Sequence, residues 1–88
     1  MSVKRAAILA LHGEITLITT QRRKMMGELT RLTAELHDTK RPPTPEQKLR
    51  LRKAIRQMRE QIEELRDHNR AILDRINDLR GRKDQGPQ

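Results

Sequence analysis

Apolar residues recur along this chain at alternating steps of four and three. In the second half they run Leu51, Ile55, Met58, Ile62, Leu65, Ile72, Ile76 and Leu79, with Asn69 the single polar residue on the stripe. This is the spacing of a heptad helix, with Ile55, Ile62, Asn69 and Ile76 at position a and Leu51, Met58, Leu65, Ile72 and Leu79 at position d. The first half repeats it, with Ile8, Ile15, Leu29 and Leu36 at a, Leu11, Ile18, Met25 and Leu32 at d, and Arg22 as its one polar break. Two long helices are expected, over residues 3–40 and 45–80.

Between them, Lys40-Arg41-Pro42-Pro43-Thr44-Pro45-Glu46-Gln47 stops one helix and starts the next. Pro42 lacks a backbone donor and pushes Arg41 out of helical geometry, so the turn is expected over 41–44. Thr44 reads as an N-cap, with Pro45 at the first helical position and Gln47 completing a capping box. Lys40 and Arg41 then sit where a helix C-terminus favours cations. Ser2 is the N-cap of the first helix, although Lys4 and Arg5 in its first turn oppose the helix dipole and predict fraying. Gly81 is placed just past the second helix. Residues 1–81 thus read as one helical unit, followed over 82–88 by a disordered tail.

The two stripes match when the chain doubles back. Leu36 falls level with Leu51, Leu29 with Met58, Ile18 with Asn69, Ile15 with Ile72 and Ile8 with Leu79, each pair of residue numbers summing to 87. The centre of that symmetry lies between Pro43 and Thr44, inside the turn. The pattern predicts an all-α fold, an antiparallel two-helix coiled-coil hairpin. A parallel zipper of two second helices would use the same stripe, since Ile at a, Leu at d and one Asn at a favour it. Its flanks disagree: Arg52, Arg59, Arg66 and Arg80 at e would meet Ala54, Gln61, His68 and Arg75 at g without an ion pair. In the hairpin those arginines run beside Thr33, Met26 and Thr19, where their stems cover apolar surface.

With 88 residues and no Phe, Tyr, Trp or Cys, the core is modest and built from Leu, Ile, Met and Ala, without disulfides or thiolate metal sites. The apolar run over residues 6–11 is too short for a signal peptide and far from the ~20 residues needed to span a bilayer, which predicts a cytoplasmic protein with no membrane partner. His12, His37 and His68 occupy different heptad positions and lack an i, i+4 partner, so no metal is expected. No phosphate loop, nucleophile elbow or convergent carboxylate pair occurs, and the expectation is a protein without cofactor or enzymatic activity. Arg22 and Asn69, in adjacent layers of opposite helices, are assigned to fixing register, with a hydrogen bond across the seam.

Two surface features point to binding. Opposite the seam, position f of the first helix holds Ala6, Gly13, Thr20, Gly27 and Ala34, whereas the second helix holds Glu46, Lys53, Glu60, Asp67 and Asp74. A glycine inside a helix costs ~1 kcal/mol relative to Ala, and close approach of another helix would explain two of them. The face formed by Ala6, Leu9, Ala10, Gly13, Thr16, Leu17 and Thr20 is therefore a candidate homodimer interface, completing a four-helix bundle.

The other feature is charge: 20 Lys and Arg against 12 Asp and Glu give a net +8, which biases the chain towards polyanions. Lys48, Arg50, Arg52, Lys53, Arg56 and Arg59 follow one another with no intervening acid, and folding adds Arg31, Lys40 and Arg41 to the same end. The expectation is a positive loop-end tip, a mixed waist around Arg22-Arg23-Lys24, and a weaker basic patch of Lys4, Arg5, Arg80, Arg82 and Lys83. Lys40, Arg41, Lys48, Arg50, Arg52, Lys53 and Arg56 are the candidate contacts to an acidic protein surface or, alternatively, to the phosphate backbone of duplex DNA or RNA. The absence of aromatics counts against reading unstacked bases, since stacking platforms usually supply that affinity. The seam residues Leu51, Ile55 and Met58 run through the basic stretch, so the resemblance to a free major-groove helix of basic-zipper type is superficial.

Overall fold

A computed structural model describes residues 2–81. Two helices, α1 (Val3–Leu36) and α2 (Pro45–Leu79), fold back on each other into a rod 60 Å long. They run antiparallel, with His12 beside Arg80 and Thr19 beside Asn69. There is no strand among the described residues.

Local chemistry sets the ends. Ser2 Oγ accepts a hydrogen bond from the Arg5 amide at 3.1 Å. Thr44 Oγ1 accepts from the Gln47 amide at 3.2 Å, and Gln47 Oε1 accepts from the Thr44 amide at 2.9 Å, the reciprocal pair of a capping box, with Pro45 at the start of the helix. Thr44→Ala removes one half of that box and is expected to cost ~1 kcal/mol, a fall of roughly 4–8 °C in melting temperature for a domain this small. Thermal circular dichroism checks it, with exposed Thr30→Ala as the control that leaves the midpoint nearly unchanged. At the far end Gly81 takes φ 77° and its amide donates to the Asp78 carbonyl at 3.0 Å. The left-handed conformation that glycine tolerates ends α2. The tail expected over 82–88 lies outside the described residues.

The first helix stops sooner than its sequence predicts. α1 ends at Leu36 rather than Lys40, and the connection runs over residues 37–44 rather than 41–44. Asp38 is the cause. Its Oδ1 accepts from the backbone amides of Lys40 at 2.9 Å and Arg41 at 3.1 Å, a local turn that offers the backbone an alternative to the helix ladder before Pro42 is reached. Lys40 and Arg41 consequently lie in the connection, and no basic residue occupies the last turn of α1.

The heptad stripes form the contact between the helices. All nine a and d residues of α1 are half-buried, and all nine of α2 are half-buried or buried. Full burial is confined to Ile55, Asn69, Ile72 and Ile76, with Ile76 the most enclosed at 2% exposure. Two helices share one line of contact, so the core is a single row, and it is most complete near the termini.

Asn69 fills its layer in a way the sequence did not indicate. Its Nδ2 donates to Thr19 Oγ1 at 3.3 Å, and its Oδ1 receives no bond from Arg22, which can only donate. The side chain is short and reaches the residue next to its level partner Ile18, but not the layer nearer the loop. Arg22 Nε and Asn69 Oδ1 are both buried without a hydrogen-bond partner.

Candidate functional site

Leu51, Ile55 and Met58 commit one stripe of α2 to the seam, which fixes where the intervening basic residues can go. Lys48, Arg50, Arg52, Lys53 and Arg56 are all exposed, as are Lys40 and Arg41 in the connection. The structure does not gather them into one cluster. Arg52, Arg56 and Arg59 line a groove between the helices together with one acid, Glu60, opposite Thr33, Leu36 and His37 of α1. Arg41 and Arg50 border a different groove on the other side of the hairpin, shared with Glu35 and Asp38. Lys53, at position f, points away from the seam with the solvated column of α2.

The loop end therefore has a positive side and a mixed side. Arg31, counted towards the basic tip, is held within its own helix: its guanidinium bonds Glu28, and its Nη1 reaches Glu35 at 3.4 Å. The hydrogen bond that Arg31 donates to Glu28, reinforced by that carboxylate's charge, raises the Arg31 pKa above its ordinary value. No carboxylate pairs with Arg52, Arg56 or Arg59 among the described residues. Arg59 and His37 belong to this groove but were not among the candidate contacts. The signal for Arg59 was present, since it follows Arg52 by one heptad and so occupies the same flank.

The same two sides continue along the rod. Towards the termini, Arg5 and Arg80 border a groove with Ile8, Leu9 and His12, on the side that carries Arg52 and Arg59. Arg80 and His12 meet there, Nη2 to Nε2, at 3.3 Å. Around the middle, a groove on the opposite side is lined by Gln21, Gln61, Glu64 and His68 over Ile18 and Leu65. Arg82 and Lys83 lie outside the described residues.

The candidate interface on α1 is open. Ala6, Leu9, Ala10, Gly13, Thr16, Leu17 and Thr20 are all exposed, Leu9 by 55% and Leu17 by 72%. A Cβ added at Gly13 or Gly27 meets nothing within 4 Å, so no close approach inside the hairpin accounts for the glycines. The Thr16 and Thr20 hydroxyls donate back to the carbonyls of His12 and Thr16 at 3.1 and 2.9 Å. Their hydrogen bonding is met within the helix, and the face presents mainly methyl groups and bare backbone.

Among the described residues no His, Asp or Glu group is arranged to hold a metal ion, and no helix is long and apolar enough to cross a membrane. Comparison with protein families, with characterised proteins and with solved structures finds no match for this chain.

Proposed function

We propose that this chain is a non-enzymatic helical-hairpin interaction module of the cytoplasm, which homo-oligomerises through the outer face of α1 and binds an acidic macromolecule at its loop end. The observation that supports it is the row Arg52, Arg56 and Arg59, exposed, adjacent and without a carboxylate partner. Long charged side chains ordinarily meet opposite charges at i±3 or i±4 on their own helix, as Arg31 does. Arg52 has no acid at those positions, and although Glu60 and Glu63 stand at i+4 from Arg56 and Arg59, neither closes an ion pair with them among the described residues, which leaves the row's Coulomb attraction available to another molecule.

The homo-oligomer rests on the α1 face. Two hairpins meeting near Gly13 would cover Leu9 and Leu17 and let the backbones approach over Ala6, Ala10 and Gly13, giving a four-helix dimer. Sedimentation equilibrium checks this directly: the parent should exceed the 10.4 kDa chain mass twofold, and Gly13→Lys or Leu17→Glu should return it to one chain. A parent that already sediments as a single chain removes the homo-oligomer.

A second reading, duplex DNA or RNA gripped by its phosphates, is favoured by the same unpaired arginines. The two readings differ in what binds. A duplex titrated at low salt should show affinity falling steeply and log-linearly with salt, and Arg52→Glu with Arg56→Glu should flatten that slope. Absence of duplex binding at low salt leaves the acidic protein surface.

A further inference from the structure

We infer that the partner-binding surface is not the loop end alone but one whole side of the hairpin, and that its occupant is a single long acidic helix of a partner protein. The inference rests on the reading of Arg52, Arg56 and Arg59 as a polyanion site and extends it along the rod. On α2, positions e and b, the flank to which that groove belongs, carry Arg52, Arg56, Arg59, Arg66, Arg70 and Arg80, all exposed. Glu63 is the one acid at these positions between residues 52 and 80, and it pairs with Arg66 at 3.9 Å, an exposed contact at the limit of an ion pair that offsets part of the Arg66 charge. The facing flank of α1 adds Arg5 and Arg23 and no acid. Grooves are observed at both ends of this side, one lined by Arg52, Arg56, Arg59 and Glu60 and the other by Arg5 and Arg80, and the two flanks run between them.

The other side of the hairpin is different in kind. Positions g and c there hold Glu14, Glu28, Glu35, Glu64 and Asp78, interspersed with Lys24, Arg31, Arg50 and Arg75. The net charge of the protein is thus carried mainly by one side. That mixed side of a second copy is a poor occupant for the arginine side, because Glu28 and Glu35 are already bound to Arg31 and further cations lie among its acids.

The shape of the surface selects among polyanions. Arg52 and Arg80 are separated by about 42 Å along α2, at 1.5 Å per residue, and arginine fills six of the nine e and b positions over that length, the others being Glu63, Leu73 and Asn77. A duplex strand winds once around its own axis in about 34 Å. The two strands of a duplex therefore cross a straight surface at alternating wide and narrow intervals set by the major and minor grooves, a spacing that does not follow the single-turn steps between neighbouring arginines of a helix. A single strand could lie straight, but the aromatic stacking that usually supplies its affinity is absent from a chain with no aromatic residue. A straight helix with Asp or Glu at i, i+4 and i+7 repeats at the interval of Arg52, Arg56 and Arg59, and its next heptad meets Arg66 and Arg70. Arginine presents a planar fork that fits a carboxylate in bidentate fashion. Between the two flanks lie Thr33, Met26 and Thr19 of α1, uncharged residues of which Met26 is 48% exposed, and against them the helix can rest its apolar stripe.

The test uses the full chain and two fluorescent probes, a 28-residue helical peptide with Glu along one face at those intervals and Leu or Ala along the next, and a 30-base-pair DNA duplex. Arg66→Gln with Arg70→Gln, remote from the loop end and at exposed positions, should weaken peptide binding about tenfold, as should Arg52→Gln with Arg56→Gln. A peptide of the same composition with its Glu residues scattered around the helix should bind at least tenfold more weakly. If only the Arg52 and Arg56 pair matters, the surface is confined to the loop end and the extension fails while the proposed function stands. Equal binding of the scattered peptide reduces the effect to net charge, and tighter binding of the duplex replaces the helix as occupant. If neither probe binds, the reading of the arginines as a polyanion site falls with the inference.

Discussion

Ile76→Ala is expected to melt most of the hairpin under conditions where the parent is folded. Ile76 is the most enclosed side chain, and deleting a buried isoleucine to alanine typically costs about 2–5 kcal/mol through lost transfer energy and the cavity left behind. Native domains are stable by roughly 0.05–0.15 kcal/mol per residue, and a single-row core between two helices belongs at the low end of that range. The loss is therefore comparable with the whole stability. The helices cannot compensate for it, because helix stability in proteins comes mainly from tertiary packing of the apolar face. Leu51→Ala, in the half-buried layer next to the connection, should lower the midpoint by less than half as much. Far-UV circular dichroism with temperature, all variants at one protein concentration because association would shift the midpoint, measures both. Equal effects at positions 51 and 76 would mean that stability is spread evenly along the seam rather than concentrated near the termini.

The seam was legible in the sequence because period and register are one-dimensional properties. A row of apolar residues at steps of four and three, with its mirror axis between Pro43 and Thr44, constrains the pairing of every layer. The end of α1 was less legible. Its heptad is silent after Leu36, and the deciding event is a side-chain to backbone interaction at Asp38 that periodicity does not register. The charge was misgrouped for a related reason. Reading along the chain joins Arg52 to Lys48, Arg50 and Lys53, its neighbours in sequence, which project around α2 in different directions. Reading by heptad position joins it to Arg59 and Arg66, one and two repeats on. Arg31 shows the complementary error, a cation counted as available although Glu28 and Glu35 lie at i−3 and i+4 on its own helix.

Replacing Arg22 with Leu and Asn69 with Ile together is expected to raise the stability of the hairpin by about 2 kcal/mol or more. Each residue keeps a buried polar atom, Nε in one and Oδ1 in the other, without a hydrogen-bond partner, and such an atom costs about 1–3 kcal/mol relative to a satisfied or apolar one. The bond from Asn69 to Thr19, 3.3 Å long, returns little of that. Both substitutions extend the apolar stripe at a positions, where Leu and Ile pack in either helix. The melting temperature should rise by roughly 8–16 °C, given about 4–8 °C per kcal/mol for a domain of this size. Stability gained in this way has a structural consequence. With no polar layer left, sliding one helix past the other by a heptad buries apolar against apolar at every remaining layer, and pairing of α2 with α2 of another chain loses its Asn register mark. Spin labels at the exposed positions 14 and 75 should give one short distance in the parent and a broadened or bimodal distribution in the double variant, alongside its higher melting temperature. A double variant with the parent's midpoint would show that the two buried polar atoms cost the fold nothing. One that is more stable yet keeps a single sharp distance would show that the connection at Pro42 to Thr44, rather than Arg22 and Asn69, sets the register.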